Sequence, residues 1–297
     1  MRILRHGTTK TEVAKVYSLE ESLAYWNDAG RYGSIEERIA RSKLWQPYYS
    51  YIAKQSMNRL YEGNAQASRT AAFMLRENIL NDNDTLLDIG AGMGAYSVEF
   101  ARRCASVTAL DMDEDCLSVL RSRAAQCSLS NIRCINVPWE EYRESEKFDV
   151  TFSAMCPAIC NQEELLRLES LTKRTACLLT VTRGSYEKCR MELMRQLPLK
   201  KSGGMVTEAL HYYNVLYLMG RQPNIECWSE HFTTSASVES LVDRYAVYLK
   251  LFGVEESESV PFMRDFFEAK AVEGMVEDEC QMYYALVYWN VPKNEKG

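Results

Sequence analysis

From residue 85 the chain alternates short apolar runs with segments of helical period. "TLLDIG", "SVTALDMD", "NIRCINV", "KFDVTFSAM" and "TACLLTVTR" read as strands. "AYSVEFARRC", "EDCLSVLRSRAAQC" and "NQEELLRLESLTK" read as helices between them. Apolar strands separated by helices imply βαβ units and a parallel sheet covered on both faces. The predicted fold class is α/β, with a doubly wound, mostly parallel sheet.

The flanks have a different rhythm. Residues 1–80 predict a helical N-terminal cap, with capping boxes at Ser18-x-x-Glu21 and Ser34-x-x-Glu37 and a further helix in "AQASRTAAFMLRENIL". Tyr25, Trp26, Tyr32, Trp45, Tyr48, Tyr49 and Tyr51 crowd this segment; packing accounts for most of them, and a minority are candidates to line a pocket. Residues 81–187 form the predicted core. Residues 188–297 are expected to supply a helical insertion or lid and C-terminal strands that complete the sheet. There, "ALHYYNVLYLMG" predicts a helix ending at Gly220. "SVESLVDRYAVYLKLFG" predicts an amphipathic helix, and "NIECWSEHF" and "QMYYALVYWNV" predict strands.

Behind the first strand stands "GAGMGA", with Gly90, Gly92 and Gly94 on alternate positions. Glycine loses more conformational entropy on folding than other residues, so this turn must admit a close backbone approach. In a doubly wound sheet that turn borders the crevice where ligands bind. Asp111 ends the next strand and is placed to accept hydrogen bonds from ribose hydroxyls. Gly90-x-Gly92-x-x-Ala95 also satisfies the relaxed dinucleotide fingerprint, which leaves NAD as a competitor. Asp88, two residues before the first glycine, would repel a pyrophosphate and attract a cationic amino-acid tail.

Composition narrows the classes. The 297 residues carry a formal net charge of −6, with 46% hydrophobic and 26% charged residues. This balance suits a sizeable core and argues against a nucleic-acid partner, which would want a basic face. No stretch approaches the roughly 20 apolar residues that span a bilayer, and the N-terminus lacks an apolar core of signal-peptide length. A cytoplasmic location without membrane association is expected. The ten cysteines form no CxxC pair and histidines number three, so no metal site is expected and the thiols read as small buried hydrophobes. The acidic runs "EESESV" and "EGMVEDE" read as solvated surface.

The stretches "LLDIGAGMGAYSVEFAR", "VTALDMDEDCLSVLR", "NIRCINVPWEEY" and "KFDVTFSAM" resemble the successive motifs of the class I S-adenosylmethionine-dependent methyltransferases, over roughly residues 70–185. The resemblance implies a Rossmann-like sheet and S-adenosyl-L-methionine as cofactor. It implies that Asp88 and the backbone of Gly90, Ala91, Gly92 and Gly94 hold the methionine moiety. Asp111 would bind the ribose, Met112 and Trp139 would flank the adenine with Glu140, and Ser153 and Ala154 would lie beneath the cofactor. Many family members carry an acid where this chain has Pro138, which shifts recognition of the adenine amino group to Glu140 or to backbone.

Methyl transfer is an in-line displacement that needs positioning more than a fixed catalytic residue. Cys156, in "SAMCPAIC", and His211, at the start of a downstream helix, are the candidates for catalysis. Cys156 precedes Pro157, the reverse of the order that nucleophilic cysteines of cytosine-modifying enzymes resemble, so shaping a pocket is its expected part. His6 and His231 offer less. The expected partner is a small-molecule methyl acceptor, with a homodimer allowed. Protein or RNA methylation and a non-catalytic cofactor-binding module stand as alternatives.

Overall fold

Helices lead into the sheet in the computed structural model, which describes residues 18–29, 34–57, 59–182, 184–199 and 208–292. The first helices are α1 (Leu19–Ala29), α2 (Ile35–Ser56) and α3 (Ala65–Arg76). Both capping boxes form: the Ser18 and Ser34 hydroxyls accept from the Glu21 and Glu37 amides, and each glutamate accepts in return from the serine's own amide. Tyr32 and His6 lie outside the described residues. Pro47 sits inside α2 and removes one ladder hydrogen bond.

Parallel strands follow: β1 (Thr85–Ile89), β2 (Ser106–Asp111), β3 (Ile132–Asn136), β4 (Phe148–Ala154) and β5 (Thr172–Val181). They stand in the order β3-β2-β1-β4-β5. The intervening helices are α4 (Ala95–Ala101), α5 (Glu114–Gln126) and α6 (Gln162–Ser170). Successive residues of β1 face opposite layers. Leu86 packs with Met74, Phe100 and Phe152, while Leu87 and Ile89 pack with Leu165, Leu168 and Val215. A continuous apolar run is what a strand buried on both faces requires.

The second half of the chain completes this sheet. After β6 (Tyr186–Glu187) come α7 (Lys188–Gln196), α8 (Ala209–Leu218), β7 (Asn224–Ser237), α9 (Val238–Lys250), α10 (Glu256–Glu268) and β8 (Met275–Asn290). Strand β8 runs antiparallel to β5 and pairs with β6 and β7 as well. Because β7 overlaps both other registers, β5 and β6 share one edge of β8 in succession and β7 lines the other. Gly220 follows α8 with φ +77°, the left-handed stop expected there.

Several sequence readings need correction. The β7 and β8 ladder is longer than "NIECWSEHF" and "QMYYALVYWNV" suggested, running from Asn224↔Tyr288 to Ser237↔Met275. The acidic run read as solvated surface holds the start of β8, where Val276, Asp278 and Cys280 are buried in period two. "EESESV" opens α10. Helix α6 stops at Ser170, because Thr172 and Lys173 already belong to β5. The two-residue β6 had no sequence signal.

Apolar residues of α7, α9 and α10 form a separate small core that also takes Trp45 and Tyr48 of α2. Helix α2 is anchored at its other end by a buried ion pair, Arg38 to Glu164 of α6, at 2.7 Å with both side chains about 5% exposed. Glu164 also accepts from the Trp139 indole. Replacing Arg38 with Met leaves a buried carboxylate with the Trp139 indole and, as its remaining cation, the more distant Arg167 at 3.6 Å. The expected loss is about 3 kcal/mol of stability, to be read as a lower urea midpoint at unchanged slope.

Candidate active site

The carboxyl ends of β1, β2 and β4 open into a cavity of about 560 Å³, at the point where strand order reverses. Its floor is the glycine turn. The Gly90 and Ala91 amides donate to the Leu110 carbonyl at 2.8 and 3.0 Å, which ties the turn to the end of β2. Gly90, Gly92 and Gly94 take φ of +73°, +52° and +76°, the left-handed region that favours glycine.

Their reasons differ. A Cβ on Gly90 would meet Cys156 Sγ at 2.7 Å, and one on Gly94 would meet Leu120 Cδ1 at 2.1 Å. A Cβ on Gly92 would meet nothing within 4 Å, and Gly92 lines the cavity. Two of the glycines thus let the protein pack against the turn, and one leaves room above it.

Asp111 lines the cavity with its carboxylate held from below. The Gly92 amide donates to Oδ2 at 2.7 Å and the Asp113 amide to Oδ1 at 2.8 Å. Each oxygen keeps acceptor capacity for a further donor. Asp113 caps α5 through the Cys116 amide and also accepts from the Ser50 hydroxyl of α2. Arg123 donates to the Met93 carbonyl at 2.9 Å and lies over Tyr61, bracing the turn from α5.

Of the expected residues, Gly90, Ala91, Gly92, Asp111, Met112, Trp139, Glu140, Ala154 and Cys156 line this one cavity. Trp139 is sandwiched, with the Arg167 guanidinium 4.0 Å from its ring centroid and Tyr142 stacked nearby. Glu140 is 5% exposed and its Oε1 has no hydrogen-bond partner. Burial raises its pKa above the ordinary carboxylate value. The Cys156 thiol is pushed up to about 12 by burial, so it is neutral at pH 7 and a poor nucleophile.

Four expected residues stand off the lining. Gly94 faces Leu120. The Ser153 hydroxyl donates to the Ile89 carbonyl. His211 is buried in α8, edge-on to Trp26 and Tyr212, and desolvation lowers its pKa. Asp88 is 1% exposed and accepts from the Ser97 hydroxyl at 2.6 Å. Desolvation raises its pKa to about 7, with the Ser97 hydrogen bond opposing and Asp111 adding to the rise.

The roof comes from α2, through Ser42, Trp45, Gln46 and Tyr49. Trp45 and Tyr49 are the pocket-lining minority among the N-terminal aromatics. Ser42, Gln46, Arg123 and Tyr96 carried no sequence signal of their own; helical spacing around Trp45 was the cue that could have found the first two. No group of His, Cys, Asp and Glu among the described residues could hold a metal ion.

A family model described as a methyltransferase domain matches residues 80–240, more than half of the chain. The chain belongs to that family, and S-adenosylmethionine is the cofactor of its class I members. One relative is named a probable cobalt-precorrin-6B C(15)-methyltransferase, from Methanocaldococcus jannaschii. It is 30% identical over 73 residues, 25% of this chain and 40% of that protein. Ribosomal RNA small subunit methyltransferase A of Levilactobacillus brevis is 29% identical over 97 residues, 33% of this chain and 31% of its own. The matched stretch is thus less than half the length of these curated relatives. Among solved structures, magnesium protoporphyrin IX methyltransferase of Synechocystis with bound SAH aligns over 83% of this chain and 99% of its own, at 11% identity and a TM-score of 0.48.

Two substitutions separate packing from occupancy. Gly94→Ala combines left-handed strain with the Leu120 clash and should cost a few kcal/mol of stability. Gly92→Ala should cost only about 1 kcal/mol, yet abolish binding of S-adenosylhomocysteine, measured by calorimetry beside thermal unfolding. Asp88 supplies a pH signature. Its folded pKa of about 7 exceeds the ordinary 3.8, so the folded state holds the extra proton and stability falls as pH rises through that window. In Asp88→Asn the fall in urea midpoints between pH 4 and 7 should shrink by this contribution, at most about 1.4 kcal/mol per pH unit, leaving the smaller slope of the other raised carboxylates, Asp111 and Glu140.

Proposed function

We propose that the chain transfers a methyl group from S-adenosylmethionine to a small-molecule acceptor enclosed with it in the cavity beneath α2. The observation that carries this reading is the convergence of the glycine turn, Asp111, Met112, Trp139 and Glu140 on one roofed cavity. In it, the Gly90–Gly92 backbone and Ala154 flank the methionine moiety, and Asp111 takes the ribose hydroxyls on its remaining lone pairs. Met112 and Trp139 bound the adenine. Glu140, whose Oε1 lacks a partner, accepts from the adenine amino group in place of the acid missing at Pro138. Asp88 acts from beneath the turn rather than by touching the cofactor, and Ser153 and Gly94 hold the strand and helix ends that shape the site. The segment 1–80 acts as the cap and 81–187 as the cofactor-binding core; the strands of 188–297 complete the sheet, and since no described residue of that segment lines the cavity, the lid expected there is not its part.

The chemistry is one displacement. An acceptor lone pair forms the bond to the methyl carbon as the carbon–sulfur bond breaks, and the electron pair stays on sulfur. The protein's part is to hold donor and acceptor in line and to exclude water, which can supply several kcal/mol of barrier reduction. RNA is the second reading, favoured by the likeness to the ribosomal RNA methyltransferase and opposed by the net charge of −6.

Calorimetric titration with S-adenosylhomocysteine and with NAD tests the reading. The homocysteine product should bind and NAD should not. Asp111→Ala should weaken binding by about 10- to 100-fold, since two hydrogen bonds to a charged acceptor are lost. Binding of NAD in its place would overturn the assignment.

A further inference from the structure

The cavity roof lies outside the residues that the family match covers. Ser42, Trp45, Gln46 and Tyr49 fall at i, i+3, i+4 and i+7, so one stripe of α2 faces inward. Across from it stands the loop after β4, with Met155, Cys156, Pro157 and Ala158. Trp45, Tyr48 and Tyr49 sit with ring centroids 5.7–6.1 Å apart, so the roof is an aromatic surface.

Neither wall carries a formal charge. Desolvation raises the Tyr49 phenol, with Tyr48, Cys156 and Asp111 adding to the rise. Burial keeps the Cys156 thiol protonated. The charged lining residues Asp111, Asp113, Arg123 and Glu140 all belong to β2, to α5 and its N-cap, or to the turn after β3. A carboxylate or a phosphate would find no counter-charge between α2 and the β4 loop among the described residues, and Asp111, the acid near enough to raise both Tyr49 and Cys156, is committed to the ribose in the reading above. The exposed acids of α10 do not line the cavity.

We propose that the α2 stripe is the acceptor wall, and that the acceptor is an uncharged planar nitrogen heterocycle lying against Trp45. This rests on the methyl-transfer reading above. The ring nitrogen's lone pair forms the bond to the methyl carbon, and the carbon–sulfur bonding pair stays on sulfur. The positive charge passes from the sulfonium to the heterocycle, and no proton leaves before transfer, so no base is required. Throughout, the charge moves in front of the same aromatic faces, which attract a cation in either position. Trp45 is then a residue that determines acceptor specificity.

The experiment measures labelled methyl transfer from S-adenosylmethionine to quinoline, 2-naphthol and cyclohexylamine. It uses the wild type, Trp45→Phe, which keeps a flat ring, and Trp45→Leu, which keeps bulk without one. S-adenosylhomocysteine affinity is followed alongside. The expected result is transfer to quinoline in preference to the other probes, at a rate that stays flat as pH rises through neutrality. KM for quinoline should rise about tenfold in Trp45→Leu and recover in Trp45→Phe, with S-adenosylhomocysteine affinity equal in all three. Transfer preferring 2-naphthol or cyclohexylamine, no transfer to quinoline, or an unchanged KM in Trp45→Leu overturns the proposal while S-adenosylhomocysteine still binds. Failure of the wild type to bind S-adenosylhomocysteine instead overturns the methyl-transfer reading beneath it.

Discussion

Three left-handed glycines within five residues constrain everything around them. The turn they make must carry the chain from β1 into α4 while staying tied to the end of β2 by two amides on the Leu110 carbonyl. With that path fixed, Cys156 can approach from the loop after β4, and Leu120 can approach from α5. Asp111 is fixed by the same turn, because the Gly92 amide holds one of its oxygens. The site is therefore one backbone conformation supported from three sides, and its polar groups are preorganised by main-chain hydrogen bonds rather than by long side chains.

The roof obeys a different logic. Helix α2 is held at one end by a buried ion pair and toward the other by the Ser50–Asp113 hydrogen bond, with aromatic contact to Tyr248 between. Burying Arg38 with Glu164 gains little net stability against an apolar alternative, but it permits very few placements of the helix. Glu164 also holds the indole of Trp139, so the pair that places the roof also orients one side wall of the cavity.

The parallel half of the fold was legible because its strands are buried on both faces and leave continuous apolar runs, as in "TLLDI" and "FDVTFSA". The capping boxes and Gly220 were legible for a local reason, since each acts within a few residues of itself. The first turn of β8 was not. Its pattern "VEDEC" is strongly acidic, and only pairing with β7 reveals that alternate positions point inward. At the site, the glycine turn and Asp111 could be read because the backbone demands them. The displacement of Asp88 from the cavity could not, because its carboxyl is taken up by Ser97, a partner that only the packing of α4 on β1 brings to it. Nor could the α2 stripe, whose function depends on a helix placed by residues far away in sequence.

The position of β8 has a consequence for how the molecule comes into being. It is the last of the described elements in chain order, yet it separates β5 from β7 and buries Trp289 completely. During synthesis β1–β7 all emerge before it. Until it arrives, β5 presents an open row of backbone donors and acceptors and an apolar face to solvent, the kind of edge on which other chains can pair. The parallel half thus spends the interval of synthesis from β5 to β8 as an unfinished sheet. Damage confined to "QMYYALVYWN" would be felt as insolubility of the whole chain before it was felt as a change in chemistry.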